Sequence, residues 1–447
     1  MTFGIAAAFS GRGWPEARDD MVLQLDTLPR KSLTIFLVSA LVAAASFYLW
    51  RQQRADALQR QGTRESMEQA LELQPRNAEF HNRLGRILLY SPGDNAERAQ
   101  LLLTRATQLN GRRASFWLDL ALSHELHGDL SLAEQMLARA RTVEPQTPAV
   151  LWHQLNFQLR REENSSALTL ARQLLEMAPD YAPRLLPLLA RVTDTETLIV
   201  RVVPKNAKAH IALLEFLVRE ARPDVRGAEL AWQRVQQQDA AMPQFIVRMF
   251  LDWLLQTQQV NQAQRVWNDA AQRGWIPVSP EAARQPFYNA DFRFPLLNFG
   301  FDWRASPHAE ATVWIDPSGP EPGQQSLCVQ FTDDARADFA NVMRYLPVEP
   351  SARYRLRTVV RSDRLNSRAG AFLEVQEQIA ASSTIRRLPV RSDSWNGTTH
   401  WRPLSLEFAT GPETRLVQLA LRRPAPRTDE PPAAGAVCLA SFELKTL

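Results

Sequence analysis

Hydrophobic and polar positions follow three different patterns along the chain. Residues 32–50 are uncharged and mostly apolar, residues 51–274 carry apolar residues at helical spacing, and residues 287–447 contain short runs in which apolar and polar residues alternate. Helical spacing indicates amphipathic helices, and alternation indicates half-buried strands. The sequence therefore predicts a multidomain protein with an apolar helix, then an all-α array, then an all-β domain.

The uncharged stretch at residues 32–50 predicts a helix that crosses a membrane. At about 1.5 Å per residue, a helix of this length would span roughly 28 Å, close to the thickness of a bilayer's hydrocarbon core. Tyr48 and Trp50 lie at its distal end, where aromatic rings favour the headgroup boundary. We expect an uncleaved transmembrane anchor, and the alternative is a signal peptide cut near residues 43–45.

Residues 1–31, before the anchor, are predicted to form a disordered arm. Basic residues flank the anchor on both sides, so flanking charge does not fix its orientation. The orientation has to be inferred from the character of the domains that follow.

A repeat with a fixed period dominates residues 51–274. The similar segments ALELQP, ATQLNG, ARTVEP and LEMAP end at Pro75, Gly111, Pro145 and Pro179, at intervals of 36, 34 and 34 residues. A period near 34 residues with helical spacing predicts helical hairpins that stack on their neighbours. The pattern weakens after residue 179, where we still expect two further helix pairs before a proline-rich linker at residues 275–286.

Residues 115–145 resemble the tetratricopeptide repeat most closely. The positions that carry this resemblance are Trp117, Leu120, Ala121, Gly128, Ala133, Ala140 and Pro145. The resemblance implies a solenoid of helical hairpins whose groove holds a peptide or protein partner, with Trp117 in the core rather than at a ligand.

Short alternating runs with turn signals between them fill residues 287–447. They are QSLCVQF, ARYRLRTVVR, AFLEVQE, PLSLEFA, RLVQLALRR and AVCLASFEL. Strands at this spacing predict an antiparallel sandwich. In the second run, Tyr354, Leu356 and Val360 share one face and Arg353, Arg355, Arg357 and Arg361 share the other, so one face is expected to be core.

The strand-rich domain resembles the jelly-roll, galactose-binding-like modules of carbohydrate-binding proteins. The resemblance rests on FYNADFRFPLLNFGFDWR, LPVEPSARYRLRTVVRS and AVCLASFEL. An anchor, tetratricopeptide repeats and a sandwich with a GFDWR motif together resemble bacterial proteins linked to extracellular polysaccharide or O-antigen production. The implied fold is a transmembrane helix, an all-α tetratricopeptide-like solenoid and an all-β jelly-roll sandwich.

Sugar rings stack on exposed aromatic side chains beside polar groups. The candidate carbohydrate-binding residues are Trp303, Arg304, Trp314, Trp395, Asn396 and Trp401. Trp395 and Asn396 fall on a predicted loop, where binding residues concentrate. A buried position in the sandwich is the alternative, and it is the preferred one for Trp303 and Trp401. An arginine-lined sheet face could instead hold an acidic polymer or be simply solvated.

Cys328 and Cys438 both lie on predicted strands of the sandwich, near its two ends. They predict either a disulfide, which an oxidising periplasm would favour, or two free buried cysteines. Two cysteines in the chain exclude a cysteine-rich zinc site.

Composition and motifs restrict the chemistry further. The chain has 52 basic and 48 acidic residues, well mixed, which argues against a nucleic-acid partner. Phosphate-binding, dinucleotide-binding, nucleophile-elbow and zinc-protease motifs do not occur, so we expect no catalytic residue, cofactor or metal. The weak metal alternatives are His124 with His127, and a calcium site at Asp333, Asp334 and Asp338.

The resulting functional hypothesis is a non-enzymatic scaffold in the bacterial cytoplasmic (inner) membrane. Its anchor at residues 32–50 would hold periplasmic or extracellular domains, with a protein partner in the repeat groove and a polysaccharide on the sandwich. The alternatives are a glycan-modifying enzyme using a carboxylate pair such as Glu374 and Glu407, and a purely structural interaction protein.

Overall fold

The computed structural model describes residues 28–91, 95–220, 223–237, 242–379 and 387–447. The predicted disordered arm at residues 1–31 lies outside the described residues as far as residue 27. The first helix, α1, spans Leu28–Gln61, and its part from Ser32 onward is long and apolar enough to cross a membrane. Its apolar side chains up to Trp50 are exposed rather than packed in a core. A helix with these properties near an N-terminus is typical of a membrane span or of a signal sequence.

The helices that follow α1 form the repeat region. They are α2 Arg64–Leu73, α3 Ala78–Leu89, α4 Ala96–Leu109, α5 Ala114–Leu126, α6 Leu130–Val143, α7 Pro148–Arg160, α8 Asn164–Met177, α9 Ala182–Leu189, α10 Thr195–Thr197, α11 Ala207–Arg219, α12 Val225–Gln236, α13 Gln244–Gln256, α14 Val260–Gln272 and α15 Pro280–Ala283. A π-helical turn at Leu198–Val202 follows α10. The chain divides into two compact units, residues 1–157 and 158–447.

In the first unit, small residues let paired helices approach closely. A Cβ atom added to Gly85 of α3 would lie 2.8 Å from Cγ of Leu103 on α4, so a larger residue would separate this hairpin. Ala121 of α5 and Ala133 of α6 are both buried in the next hairpin. Gly128 makes the turn between these two helices at φ 85, a conformation that costs glycine little. These contacts explain why the repeat pattern needs small residues at these positions.

The second unit begins with further hairpins and ends with the sandwich. Ala228 and Ala231 of α12 are buried, as are Leu213 and Leu217 of α11, so the pair expected from the weakened repeat pattern is present. The last pair, α13 and α14, buries Phe250 among many apolar side chains.

In the part of the sandwich that the structure describes, ten antiparallel strands form two sheets. They are β1 Arg304–Ala305, β2 Ala311–Asp316, β3 Ser326–Ala335, β4 Phe339–Pro347, β5 Arg353–Asn366, β6 Phe372–Gln378, β7 Val390–Arg391, β8 Gly397–Ala409, β9 Leu416–Arg423 and β10 Ala433–Thr446. The first sheet has the strand order β1-β4-β9-β6-β7, and the second has the order β2-β3-β10-β5-β8.

The core of the sandwich lies between the two sheets. It is built from alternate residues of each strand, such as Leu356 and Val360 of β5, Leu404 and Leu406 of β8, and Leu419 of β9. The predicted fold class, an apolar helix followed by a helical-hairpin array and a β-sandwich, is confirmed.

Candidate functional site

The outer face of the second sheet carries a row of aromatic, sulfur and basic side chains. Ala311, Val313 and Ile315 of β2 pack on the core. Because successive side chains of a strand point to opposite faces, Trp314 and Asp316 face outward. In the strand register Trp314 lies opposite Cys328, Cys328 opposite Cys438, and Cys438 opposite Arg361. The row therefore crosses four neighbouring strands. We call Trp314, Asp316, Arg361, Trp401 and the disulfide the platform.

Arg361 joins the two ends of the platform. Its guanidinium carbon lies 5.1 Å from the centre of the Trp401 ring, on β8. One of its terminal nitrogens lies 3.8 Å from Oδ2 of Asp316, on β2. A guanidinium stacked on an aromatic ring and paired with a carboxylate is held in a fixed position. The platform therefore presents flat rings and hydrogen-bonding groups in a defined arrangement.

The platform is partly open to solvent and long enough for an extended ligand. Trp314 is 37% exposed and Trp401 is half-buried. Strands β2 and β8 are four strand spacings apart, or about 19 Å at the usual spacing of strands in a sheet. Such a surface suits a chain of several sugar rings better than a single ring.

The disulfide between Cys328 and Cys438 forms the centre of the platform. It links β3 to β10, the last strand in chain order, and these two strands are neighbours in the sheet. The Cα to Cα distance between the two cysteines is 4.1 Å. Of the two alternatives left open by the sequence, the structure therefore has the disulfide. Both cysteines are buried although they face outward, and side-chain atoms of Arg361 and Asp316 lie 3.6 Å from Sγ of Cys438 and 4.0 Å from Sγ of Cys328, respectively.

Two predicted carbohydrate-binding tryptophans are buried and cannot stack on a sugar. Trp303 is fully buried, and its ring packs against Phe292 and Phe442. Trp395 is only 2% exposed, because the chain there pairs with Ala371 and turns the ring into the core. The expectation of an exposed ring on a loop at Trp395 is therefore wrong, and the buried alternative holds for Trp303. For Trp401 the preferred buried position in the core is wrong, since its ring is half-buried and lies on the outer face against Arg361.

Asn396 is exposed, but its side chain is already engaged in a turn. Its Oδ1 accepts hydrogen bonds from the backbone N–H groups of Ser367 and Gly397, at 3.2 and 3.0 Å. These bonds hold the turn before β8 in place. Asn396 thus shapes the start of the strand that carries Trp401.

Arg304 belongs to a junction between the last hairpin and the sandwich. Its guanidinium lies 2.6 Å from Oδ1 of Asp252 on α13, and both side chains are mostly buried. The guanidinium also stacks on the ring of Tyr345. This corrects its assignment as a partner for sugar hydroxyls, because the pairing with Asp252 occupies it. In the GFDWR motif, Gly300 is also part of the junction, since an added Cβ would lie 2.8 Å from the Trp267 ring.

In the first unit, the first helices of successive hairpins present a polar cluster. Nδ2 of Asn82 on α3 donates to Oδ2 of Asp119 on α5 at 2.7 Å, and Arg86 lies 3.5 Å from the same carboxylate. Burial raises the pKa of Asp119, and the bond from Asn82 and the charge of Arg86 partly offset this effect. Arg83 and Arg113 pair with Glu79 nearby. The cluster offers exposed arginines beside a fixed carboxylate, a combination suited to a polar peptide.

The structure does not bring together the carboxylate pair of the enzyme alternative. Glu374 lies on β6 of the first sheet, with Arg391 at 2.9 Å and Arg422 at 3.6 Å. Glu407 lies on β8 of the second sheet and pairs with Arg355 at 2.7 Å. Two carboxylates acting as acid and base must face one cleft, and these two belong to different sheets and separate ion pairs.

The weak metal alternatives also have other roles in the structure. A ring nitrogen of His124 lies 3.0 Å from Gln100, and one of His127 lies 2.6 Å from the carbonyl of Ser123. Asp338 pairs with Arg422 at 2.9 Å. Within the described ranges, no three histidine, cysteine or acidic residues are placed to hold a metal ion together.

Comparisons with known proteins give similarity at the level of single regions. No family model and no curated protein matches the chain. Among solved structures, the catalytic domain of the bacteriophage CBA120 tailspike protein 4 is 10% identical with a TM-score of 0.27, and the match covers 37% of this chain but only 22% of that one. YrrB, a TPR protein with an unusual peptide-binding site, is 14% identical with a TM-score of 0.25, over 47% of this chain and 93% of that one. A CBM4 structure is 12% identical with a TM-score of 0.25, and the match covers 36% of this chain and 99% of that one.

Proposed function

We propose that this chain is a membrane-anchored, non-enzymatic scaffold whose sandwich binds a glycan on the platform. The observation that carries the proposal is the platform itself: two outward-facing tryptophans lie on β2 and β8, and Arg361 between them contacts Trp401 on β8 and Asp316 on β2. Tryptophan faces stack on the apolar faces of sugar rings, and Arg361 and Asp316 can bond to hydroxyl groups. The arginines of β5 on the same face favour a glycan that carries acidic groups.

The repeats would hold a protein partner at the polar cluster around Asp119. Its exposed arginines and its carboxylate supply both signs of charge for a polar peptide. Tethering a glycan site and a peptide site to one anchor raises the effective concentration of each at the membrane. Assembly or export of a bacterial surface polysaccharide is the process in which we place this scaffold.

Removing either platform tryptophan is expected to weaken glycan binding about tenfold, the loss of one stacking contact. The measurement is a titration of the purified full chain, Trp314→Ala and Trp401→Ala against acidic and neutral oligosaccharides. Tyr90→Ala, which removes an exposed aromatic ring from the repeats, is the matched control and should bind like the unchanged chain. If no oligosaccharide binds, the protein is a purely structural module, and release of cleaved sugar would show an enzyme.

A disulfide in the sandwich supports an oxidising compartment for this domain. We expect alkaline phosphatase fused after Leu447 to be active in bacteria, since this enzyme also needs disulfides to fold, and a cytoplasmic reporter at the same place to be inactive. Deleting residues 32–50 from the fusion should abolish the phosphatase activity. An active cytoplasmic reporter would contradict the proposed orientation.

A further inference from the structure

A cavity of about 240 Å³ lies where the last helical hairpin meets the sandwich. Its walls include Gln264, Trp267 and Asn268 of α14, Arg284 and Gln285 after α15, and Arg344 of β4. Gln264 and Arg284 are exposed, so the cavity reaches solvent at that end. Two arginines and three amide side chains line it, and among the described residues of its wall there is no aspartate or glutamate. The lining is therefore polar with an excess of positive charge.

Arg344 is a buried cation that has no carboxylate in direct contact among the described residues. Its side chain is 1% exposed, with one terminal nitrogen donating to the carbonyl of Tyr288 at 2.9 Å and the other to the carbonyl of Phe301 at 2.7 Å. Its Nε has no hydrogen-bond partner, and no carboxylate of the described chain lies within ion-pair distance of it. Burial lowers the pKa of this guanidinium to about 9, and the more distant charge of Asp302 offsets only part of the effect. An anion in the cavity would stabilise this buried charge.

Asn268 places a second unsatisfied polar atom on the cavity wall. Its Oδ1 is buried and has no hydrogen-bond partner among the residues that the structure describes. A buried carbonyl oxygen requires a donor such as a hydroxyl group, whereas the guanidinium requires an acceptor with negative charge. Trp267 adds an aromatic wall beside them. The unmet requirements of the cavity are thus an anionic group, a hydroxyl group and a small apolar surface.

We propose that this cavity binds a small hydroxylated carboxylate of the sugar-acid class, such as a uronic acid. The carboxylate would lie toward Arg344, and a hydroxyl would donate to Oδ1 of Asn268. The volume is below the range usual for drug-sized ligands, which favours a single sugar ring. This site is separate from the platform on the outer face of the second sheet, so its ligand is expected to bind whether or not the platform holds a glycan.

The test is calorimetric titration of the purified full chain with sodium glucuronate, glucose, sodium acetate and sodium phosphate. We expect saturable binding of glucuronate, at least tenfold tighter than that of the other three. Asn268→Leu, which keeps the size of the side chain and removes the acceptor, should weaken glucuronate binding about threefold to tenfold. Arg344→Gln should abolish it, but Arg344 also holds two carbonyls, so Asn268→Leu is the deciding variant.

Two control variants separate this site from its surroundings. Arg265→Ala changes the neighbouring residue of α14, which pairs with Glu229 on α12, and should leave glucuronate binding unchanged. Trp401→Ala removes a platform ring and should also leave it unchanged. The proposal is overturned if glucuronate does not bind, if glucose, acetate or phosphate binds as tightly, or if Asn268→Leu has no effect. It is equally overturned if Trp401→Ala abolishes the binding, since the sugar acid would then be on the platform.

Discussion

Replacing Trp303 by alanine is expected to lower the free energy of unfolding of the sandwich by about 3–5 kcal/mol. The ring is fully buried, with ring centres of Phe442 at 4.9 Å, Phe292 at 5.5 Å and Phe287 at 6.0 Å. Arg344 also stacks on it. Removal would leave a large cavity between segments that are distant in sequence, so the surrounding residues cannot close it without moving strands. The shift in the urea midpoint of the transition that melts the sheets measures this loss.

Trp314→Ala is the matched control for Trp303→Ala. It deletes the same side chain from the same sandwich, but from an exposed position on the outer face. Its effect on the free energy of unfolding should stay within about 0.5 kcal/mol, as for ordinary surface substitutions. A loss for Trp303→Ala as small as the one expected for Trp314→Ala would contradict the core role that the burial of Trp303 indicates.

Breaking the disulfide is expected to cost the sandwich about 4–5 kcal/mol, the second large effect. The two cysteines are separated by 110 residues, and a crosslink that closes a loop of this length restricts the unfolded chain strongly. The loss can be measured by comparing urea unfolding of the oxidised chain with that of the double variant Cys328→Ala, Cys438→Ala. The double variant should also bind glycan more weakly, because the disulfide joins β3 to β10, the two strands that lie between β2 with Trp314 and β5 with Arg361.

Reductant supplies the control for the disulfide. It should destabilise the unchanged chain toward the level of the double variant and leave the double variant as it was. A chain whose unfolding midpoint does not respond to reductant, once free thiols have been counted to confirm reduction, would contradict the expected stabilisation.

The GFDWR motif illustrates how a sequence pattern can suggest the wrong kind of residue role. Its tryptophan and arginine are the types found at sugar sites, yet Trp303 is in the core and Arg304 pairs with Asp252 on a helix of the last hairpin. The partner Asp252 is 52 residues away in the sequence, so no local pattern points to it. Asp302 of the same motif is also buried, accepting a hydrogen bond from the backbone N–H of Leu297 at 2.7 Å.

The platform was only partly predictable. Alternation in β5 placed Arg361 on the outward face, and Trp314 and Trp401 were candidates by residue type. Asp316 gave no signal, since an isolated aspartate at a strand end is common. What joins these residues is the strand order β2-β3-β10-β5-β8, in which sequence neighbours are often not sheet neighbours.

The sequence by itself determined the apolar helix, the helical hairpins and the strands, because each depends on the spacing of apolar residues within one short segment. The small residues Gly85, Ala121 and Ala133 likewise predicted close helix packing within a hairpin. Only the tertiary structure decided which tryptophans are buried, that the cysteines are bonded and that a cavity surrounds Arg344. These features depend on contacts between segments that are tens to more than a hundred residues apart in the sequence. Strand order and packing determine which of these contacts form, and the local pattern of apolar residues does not.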